Sequence, residues 1–164
     1  MNALWSYFWP VFAAGLVSGG IAASIAFRRK KTRALVAGLA VALAAAALWH
    51  GPLGGADRLT ARVEHTARLA LDHYEMTRVS ARLHHGPLTR LLILKGPADD
   101  FQRSELVRLM SQVPGVSRAR WSEGSAGLPL IAEALGVALL GFLVGVLLAY
   151  LVELRRRYNS QWNW

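Results

Sequence analysis

Three apolar stretches dominate this chain, over residues 3–27, 34–49 and 128–152. About 20 residues carry a helix across the hydrocarbon core of a bilayer. The first and third runs exceed that length with almost no charge and predict membrane spans; the second is shorter and rich in alanine. Between the second and third lies a polar stretch, roughly residues 51–127, enough for one compact domain. The expected fold is three transmembrane helices with a small α+β domain between the last two. An apolar fraction of 54% suits such a polytopic chain. With no cysteine, disulfides, thiolate catalysis and Cys-built zinc sites are excluded.

The formal net charge of +9 would suit nucleic acid, but its distribution argues for a membrane instead. Arg28, Arg29, Lys30, Lys31 and Arg33 crowd the loop between the first two spans, and Arg155, Arg156 and Arg157 follow the third. Basic residues beside spans mark the cytoplasmic side, so these residues are the topology determinants. Residues 1–50 then form a hairpin that begins outside and turns in the cytoplasm. The domain is exported, periplasmic in a Gram-negative bacterium, and the third span, 128–153, returns to a short basic and aromatic cytoplasmic tail, 154–164.

A cleavable signal would carry its positive charge before a short apolar core. Here the charge follows the core, and Trp5, Tyr7, Phe8 and Trp9 suit a retained helix anchored at an interface, as do Tyr158, Trp162 and Trp164 at the other end. Pro10 sits in the first turns, where proline is tolerated. The short second span recovers length if Lys31 and Arg33 snorkel and His50 reaches the far interface. A re-entrant hairpin, the alternative, breaks the charge rule.

Small residues recur in the spans as Gly15-x3-Gly19, Gly20-x3-Ser24 and Gly141-x3-Gly145, with Gly136 nearby. Such spacing lets helix backbones approach closely, so Gly15, Gly19, Gly141 and Gly145 are candidate packing positions, within the chain or against a partner or second copy. Glu133 lies about a turn inside the third span and reads as an interfacial carboxylate.

The polar stretch reads helix, strand, strand, helix, strand. Residues 57–74 place Leu59, Val63, Ala67, Ala70 and Tyr74 near a helical period. Residues 78–84 alternate, with Val79, Ala81 and Leu83 opposite Arg78, Ser80, Arg82 and His84. His85-Gly86-Pro87 supplies a turn, and residues 88–95 form a more apolar and hence more central strand. Asp99 and Gln102 make a capping box for a second helix burying Leu106, Leu109, Met110 and Val113. Pro114-Gly115 stops it, and residues 116–121 form a last strand, polar at Arg118 and Arg120 and so suited to an edge.

The run LLILKGPADDFQRSELVRLMSQVPGVSRARW resembles a BON domain. Its carriers are the apolar-x-Gly step Leu94-Lys95-Gly96 and the helix-ending Val113-Pro114-Gly115-Val116. The resemblance covers about residues 57–121 and none of the spans. It departs in running from Trp121 through residues 122–127 almost directly into the third span. It implies an αββαβ domain without catalytic residues that attaches to phospholipid or to partner proteins.

No catalytic, cofactor or metal site emerges from the residues themselves. His65 and His73 are spaced unlike a metalloprotease pair, and the adjacent His84 and His85 point to opposite faces. His50 could ligate a tetrapyrrole, but an interfacial histidine is the commoner case. Asp99 and Asp100 complement a helix N-terminus. Arg78, Arg82, Arg90 and Arg118 are expected to collect on one sheet face, as a contact for anionic lipid or an acidic partner, set against an ordinary solvated face. The reading is a non-enzymatic membrane protein presenting an interaction domain, an accessory, scaffold or assembly subunit of an envelope complex. The alternatives are a small oligomeric channel, which usually shows a polar stripe, and an envelope-stress sensor.

Overall fold

The computed structural model describes residues 3–121 and 127–161, with side chains through residue 159. Residues 1–2, most of the connection at 122–127, and Trp162 and Trp164 therefore lie outside the described residues. Five helices, α1 (Ala3–Arg29), α2 (Arg33–His50), α3 (Gly55–His73), α4 (Asp100–Met110) and α5 (Leu130–Gln161), accompany three strands, β1 (Ser80–His85), β2 (Leu88–Lys95) and β3 (Arg118–Arg120). The described chain is mostly helical, and α1, α2 and α5 are each long and apolar enough to cross a membrane. The chain forms two compact units. One takes Met1–Tyr7 and Gly54–Glu133, the other Phe8–Leu53 and Ala134–Trp164.

The second unit is a three-helix bundle. Val11, Ala46 and Ala138 form one fully buried cluster and Ala22, Ala42 and Phe142 another. From the first cluster to the second, positions rise along α1 and α5 and fall along α2. Helices α1 and α5 therefore run parallel, with α2 antiparallel to both. Small core residues suit helices long and apolar enough to cross a membrane: lipid is as apolar as leucine, so such helices gain by close backbone contact. Larger side chains such as Val17, Ile21, Leu143 and Leu147 stay on the outside.

Helix α2 gains Arg33 and His50 at its ends and reaches 18 residues. That is about 27 Å, close to the ~30 Å hydrocarbon core. Helix α5 departs further from expectation. It continues unbroken past residue 152, so Arg155, Arg156 and Arg157 ride on the helix itself rather than on a separate tail. No Gly or Pro interrupts that stretch, and arginine is a good helix former.

In the first unit β2 is central, antiparallel to β1 and parallel to β3. Val79, Leu83, Leu92, Leu94 and Ala119 are nearly solvent-free on the face that α3 and α4 cover, opposite Leu59, Val63, Ala67, Leu71, Leu106 and Met110. On α3 the buried stripe steps by four from Leu59 to Leu71, so Ala70 beside it is only partly covered, and Tyr74 is exposed because the helix ends at His73. Leu109 is likewise only partly covered.

The capping box at α4 forms, with Asp99 Oδ1 accepting from Gln102 N at 2.7 Å and Gln102 Oε1 from Asp99 N at 3.1 Å. Gly96 and Gly115 have φ of +146° and +108°, where a side chain would strain the backbone. A Cβ at Gly96 would also press on the Arg78 carbonyl at 2.6 Å, and one at Gly115 on Val63 at 2.5 Å.

Candidate functional site

The sheet face turned away from α3 and α4 carries a row of basic side chains. Residues paired across a sheet share a face, so the register puts Arg82 and Arg120 on either side of Ile93 in one row across the three strands. Arg118 stands beside Leu91 on the same face, and Ser80 beside Lys95. Leu91 and Ile93 are buried at 3% and 7% exposure although α3 and α4 cover the other face, so the flanking arginine stems are placed to shield them. No carboxylate stands on the strands beside them among the described residues. Among the described residues Arg82, Arg118 and Arg120 have no ion pair. A shallow concavity runs over the β1–β2 half, lined by Ser80, Arg82, His84, Ile93 and Lys95.

Of the four arginines expected here, the sheet brings together only Arg82 and Arg118. Arg78 lies before β1, in a turn closed by Val79 N donating to Met76 O at 3.1 Å. It lines a separate hollow with Glu75, Asp99 and Arg103. Arg90 shares the parity of Leu92, away from that face, and its Nε lies 2.9 Å from Glu133 Oε2 and 3.1 Å from Oε1. Both side chains are about one-quarter exposed, and the pair ties β2 to the first turn of α5. Glu133 is thus the partner of a cation. Arg120 and Lys95 complete the face instead. The alternation of Arg118 and Arg120 contained this signal for Arg120.

Both flanks of the sheet are occupied by side chains from the helices. Along β1, Glu64 Oε1 accepts from Leu83 N at 2.9 Å, and Arg68 Nη1 donates to Val79 O at 3.1 Å. Along β3, Ser111 Oγ accepts from Ala119 N at 3.3 Å. Such covers discourage pairing with a further strand.

Three of the five histidines, His73, His84 and His85, are engaged locally. His84 Nδ1 lies 3.0 Å from Pro87 O, His85 Nδ1 2.6 Å from Leu83 O, and the His73 ring packs edge-on against Tyr74. Among the described residues no three His, Asp or Glu side chains gather as a metal ion would require.

In the bundle, the four candidate glycines face each other across α1 and α5. A Cβ built at Gly15 would strike the Ala138 carbonyl, at Gly19 the Phe142 carbonyl, at Gly141 the Phe12 carbonyl and at Gly145 the Leu16 carbonyl. Gly38 on α2 was not among the expected packing positions, yet a Cβ there would meet Ala22, Ser18 and Phe142 together. Ser18 and Ser24 donate back to the Gly15 and Gly20 carbonyls, at 3.0 and 2.8 Å.

The parallel course of α1 and α5 also settles where the basic segments lie within the bundle. The Phe27 and Tyr150 rings meet at 6.0 Å, so the loop from Arg28 to Arg33 and the run Arg155–Arg157 share one end. The chain leaves the bundle after Phe8 is reached backwards, after Leu53 and before Ala134, all at the opposite end. Compared with protein-family models, curated proteins and solved structures, the chain matches none of them.

Proposed function

We propose that this chain is a non-enzymatic integral protein of the bacterial inner membrane that presents its α+β unit on the periplasmic side as an interaction module. In this role it serves as an accessory, scaffold or assembly subunit of a larger envelope complex. The observation that carries the reading is the gathering of both basic segments at one end of the bundle, with all three exits toward the polar unit at the other. The positive-inside rule then holds the basic end in the cytoplasm. The order α3, β1, β2, α4, β3 and the positive φ of Gly96 and Gly115 support the BON-like reading of the unit. The bundle core of Ala, Gly, Val and Phe, without a polar stripe among the described residues, favours an anchor over a conduit.

The open face of Arg82, Arg118 and Arg120 is the proposed contact, taking carboxylates or lipid phosphates as charge-assisted partners. Purification of the full chain in mild detergent tests it. A stoichiometric membrane partner is expected with the wild type. Replacing the three arginines by serine is expected to cut its retention about tenfold or more, the range in which removing cations from an interface acts. Equal retention would remove the sheet face from the proposal, and failure to recover any such partner with the wild type would remove the scaffold role.

A further inference from the structure

Strand β1 lies at the edge of the sheet, with β2 on one side only. In an antiparallel pair, alternate residues turn both N–H and C=O away from the partner strand. On β1 these are the odd-numbered positions, since Leu83 N points outward to Glu64; they begin with Val79 just before the strand and include Ala81. All four outward groups of Val79 and Leu83 are taken within the chain. Val79 N donates to Met76 O at 3.1 Å, and Val79 O accepts from Arg68 Nη1 at 3.1 Å. Leu83 N donates to Glu64 Oε1 at 2.9 Å, and Leu83 O accepts from His85 Nδ1 at 2.6 Å. Asp72, four residues further along α3, steadies Arg68 at 2.6 Å. Between them Ala81 turns its N–H and C=O outward with no such cover among the described residues.

The covered groups are the ones that a second copy of β1 would use. Two such strands running antiparallel about Ala81 set Ala81 opposite Ala81 and Val79 opposite Leu83, each couple exchanging two N–H···O bonds. Arg82 then stands opposite Ser80 rather than another arginine, so no like charges oppose each other. The register is self-complementary, as a two-fold contact requires, and a bare edge of this kind pairs readily with another chain. We infer that Glu64, Arg68 and His85 hold closed a self-pairing edge of the sheet, through which two copies of this chain join β1 to β1 once the covers are removed. The covers and the second copy compete for the same backbone groups, each of which needs one partner or the other. The inference is independent of the basic sheet face and of the side of the membrane that the unit occupies.

Disulfide trapping of the full chain in detergent micelles tests it, because the chain has no cysteine and a single introduced one bridges only between copies. Ala81→Cys puts the two thiols on directly opposed residues, with Cα atoms about 5.5 Å apart and within the span of a disulfide. With the covers intact this variant is expected to stay monomeric on oxidation. Adding Glu64→Ala and Arg68→Ala is expected to raise the cross-linked dimer about tenfold, the scale on which one or two hydrogen bonds act. Glu64→Gln keeps an acceptor for Leu83 N and, in place of the two alanines, is expected to leave the dimer at its starting level. Ser104→Cys, exposed on α4, reports chance collision and is expected not to respond to the alanines. Extensive cross-linking at residue 81 with the covers in place, no rise there in the alanine variant, an equal rise at residue 104, or an equal rise with Glu64→Gln would each overturn the inference. If the double alanine variant does not fold, Glu64→Ala alone decides: an unchanged dimer yield also overturns it.

Discussion

Gly145→Leu will break the packing of α1 on α5 and lower the stability of the bundle by about 3 kcal/mol or more, at the upper end of the cost of overpacking. The reason is that the obstacle is backbone rather than a movable side chain. A Cβ at Gly145 would run into the Leu16 carbonyl oxygen and stand 2.8 Å from Gly20 N, before any further leucine atom is counted. The helices would have to part, and the reciprocal contacts of Gly15, Gly19 and Gly141 would go with them. Gly136 supplies the control, since a Cβ there meets nothing within 4 Å. Gly136→Leu on the same helix should shift stability by about 0.5 kcal/mol or less. Denaturant-induced unfolding in mixed micelles, followed by circular dichroism, separates the two. Equal effects from both substitutions would mean that α1 and α5 do not meet through their glycines.

The second large effect belongs to the sheet. Leu92 is fully buried on the central strand, between Leu83 and Ala119 and on the face covered by helices. Leu92→Ala should cost about 2–5 kcal/mol, because the removed methyl groups leave a cavity between three strands and two helices that cannot all close in. Phe101→Ala should change little, about 0.5 kcal/mol at most, since Phe101 is 75% exposed at the start of α4. Hydrogen exchange of the full chain, read over residues 80–120, would show protection lost in the first variant and kept in the second. Unchanged protection in Leu92→Ala would contradict the register that places it in the core.

Much of this architecture was legible because the signals were local. An apolar run long enough to cross a bilayer needs no tertiary information, and neither does the capping box at Asp99 and Gln102. Glycine spacing on α1 and α5 marked close packing, but spacing alone could not say that the two motifs meet each other within one chain. Gly38 gave no such signal, since it is isolated in an alanine-rich helix and owes its position to two neighbouring helices. On α3 the buried Leu59, Val63, Ala67 and Leu71 step by four, which leaves Ala70 beside the stripe, and Tyr74 falls just beyond the helix.

The arginines show the same limit. Alternation assigned Arg82 and Arg118 well. It failed for Arg90, because Thr89 through Leu94 is almost wholly buried on both faces apart from Arg90 itself and shows no period of two. It failed for Arg78 because the turn at residues 76–79 mimics an alternating strand. The partner of Arg90 is Glu133, more than forty positions away (|i−j| = 43), and pairing at that range is set by the fold.

The side of the membrane on which the α+β unit lies is the point on which the proposed role turns, and the lack of native cysteine makes it directly measurable. Single cysteines placed at exposed Gln112 on the unit and at exposed Thr32 in the basic loop can be probed in intact spheroplasts with a membrane-impermeant maleimide. The account predicts that Gln112→Cys reacts at once and that Thr32→Cys reacts only after the membrane is permeabilised. Immediate labelling at residue 32 with protection at residue 112 would contradict it.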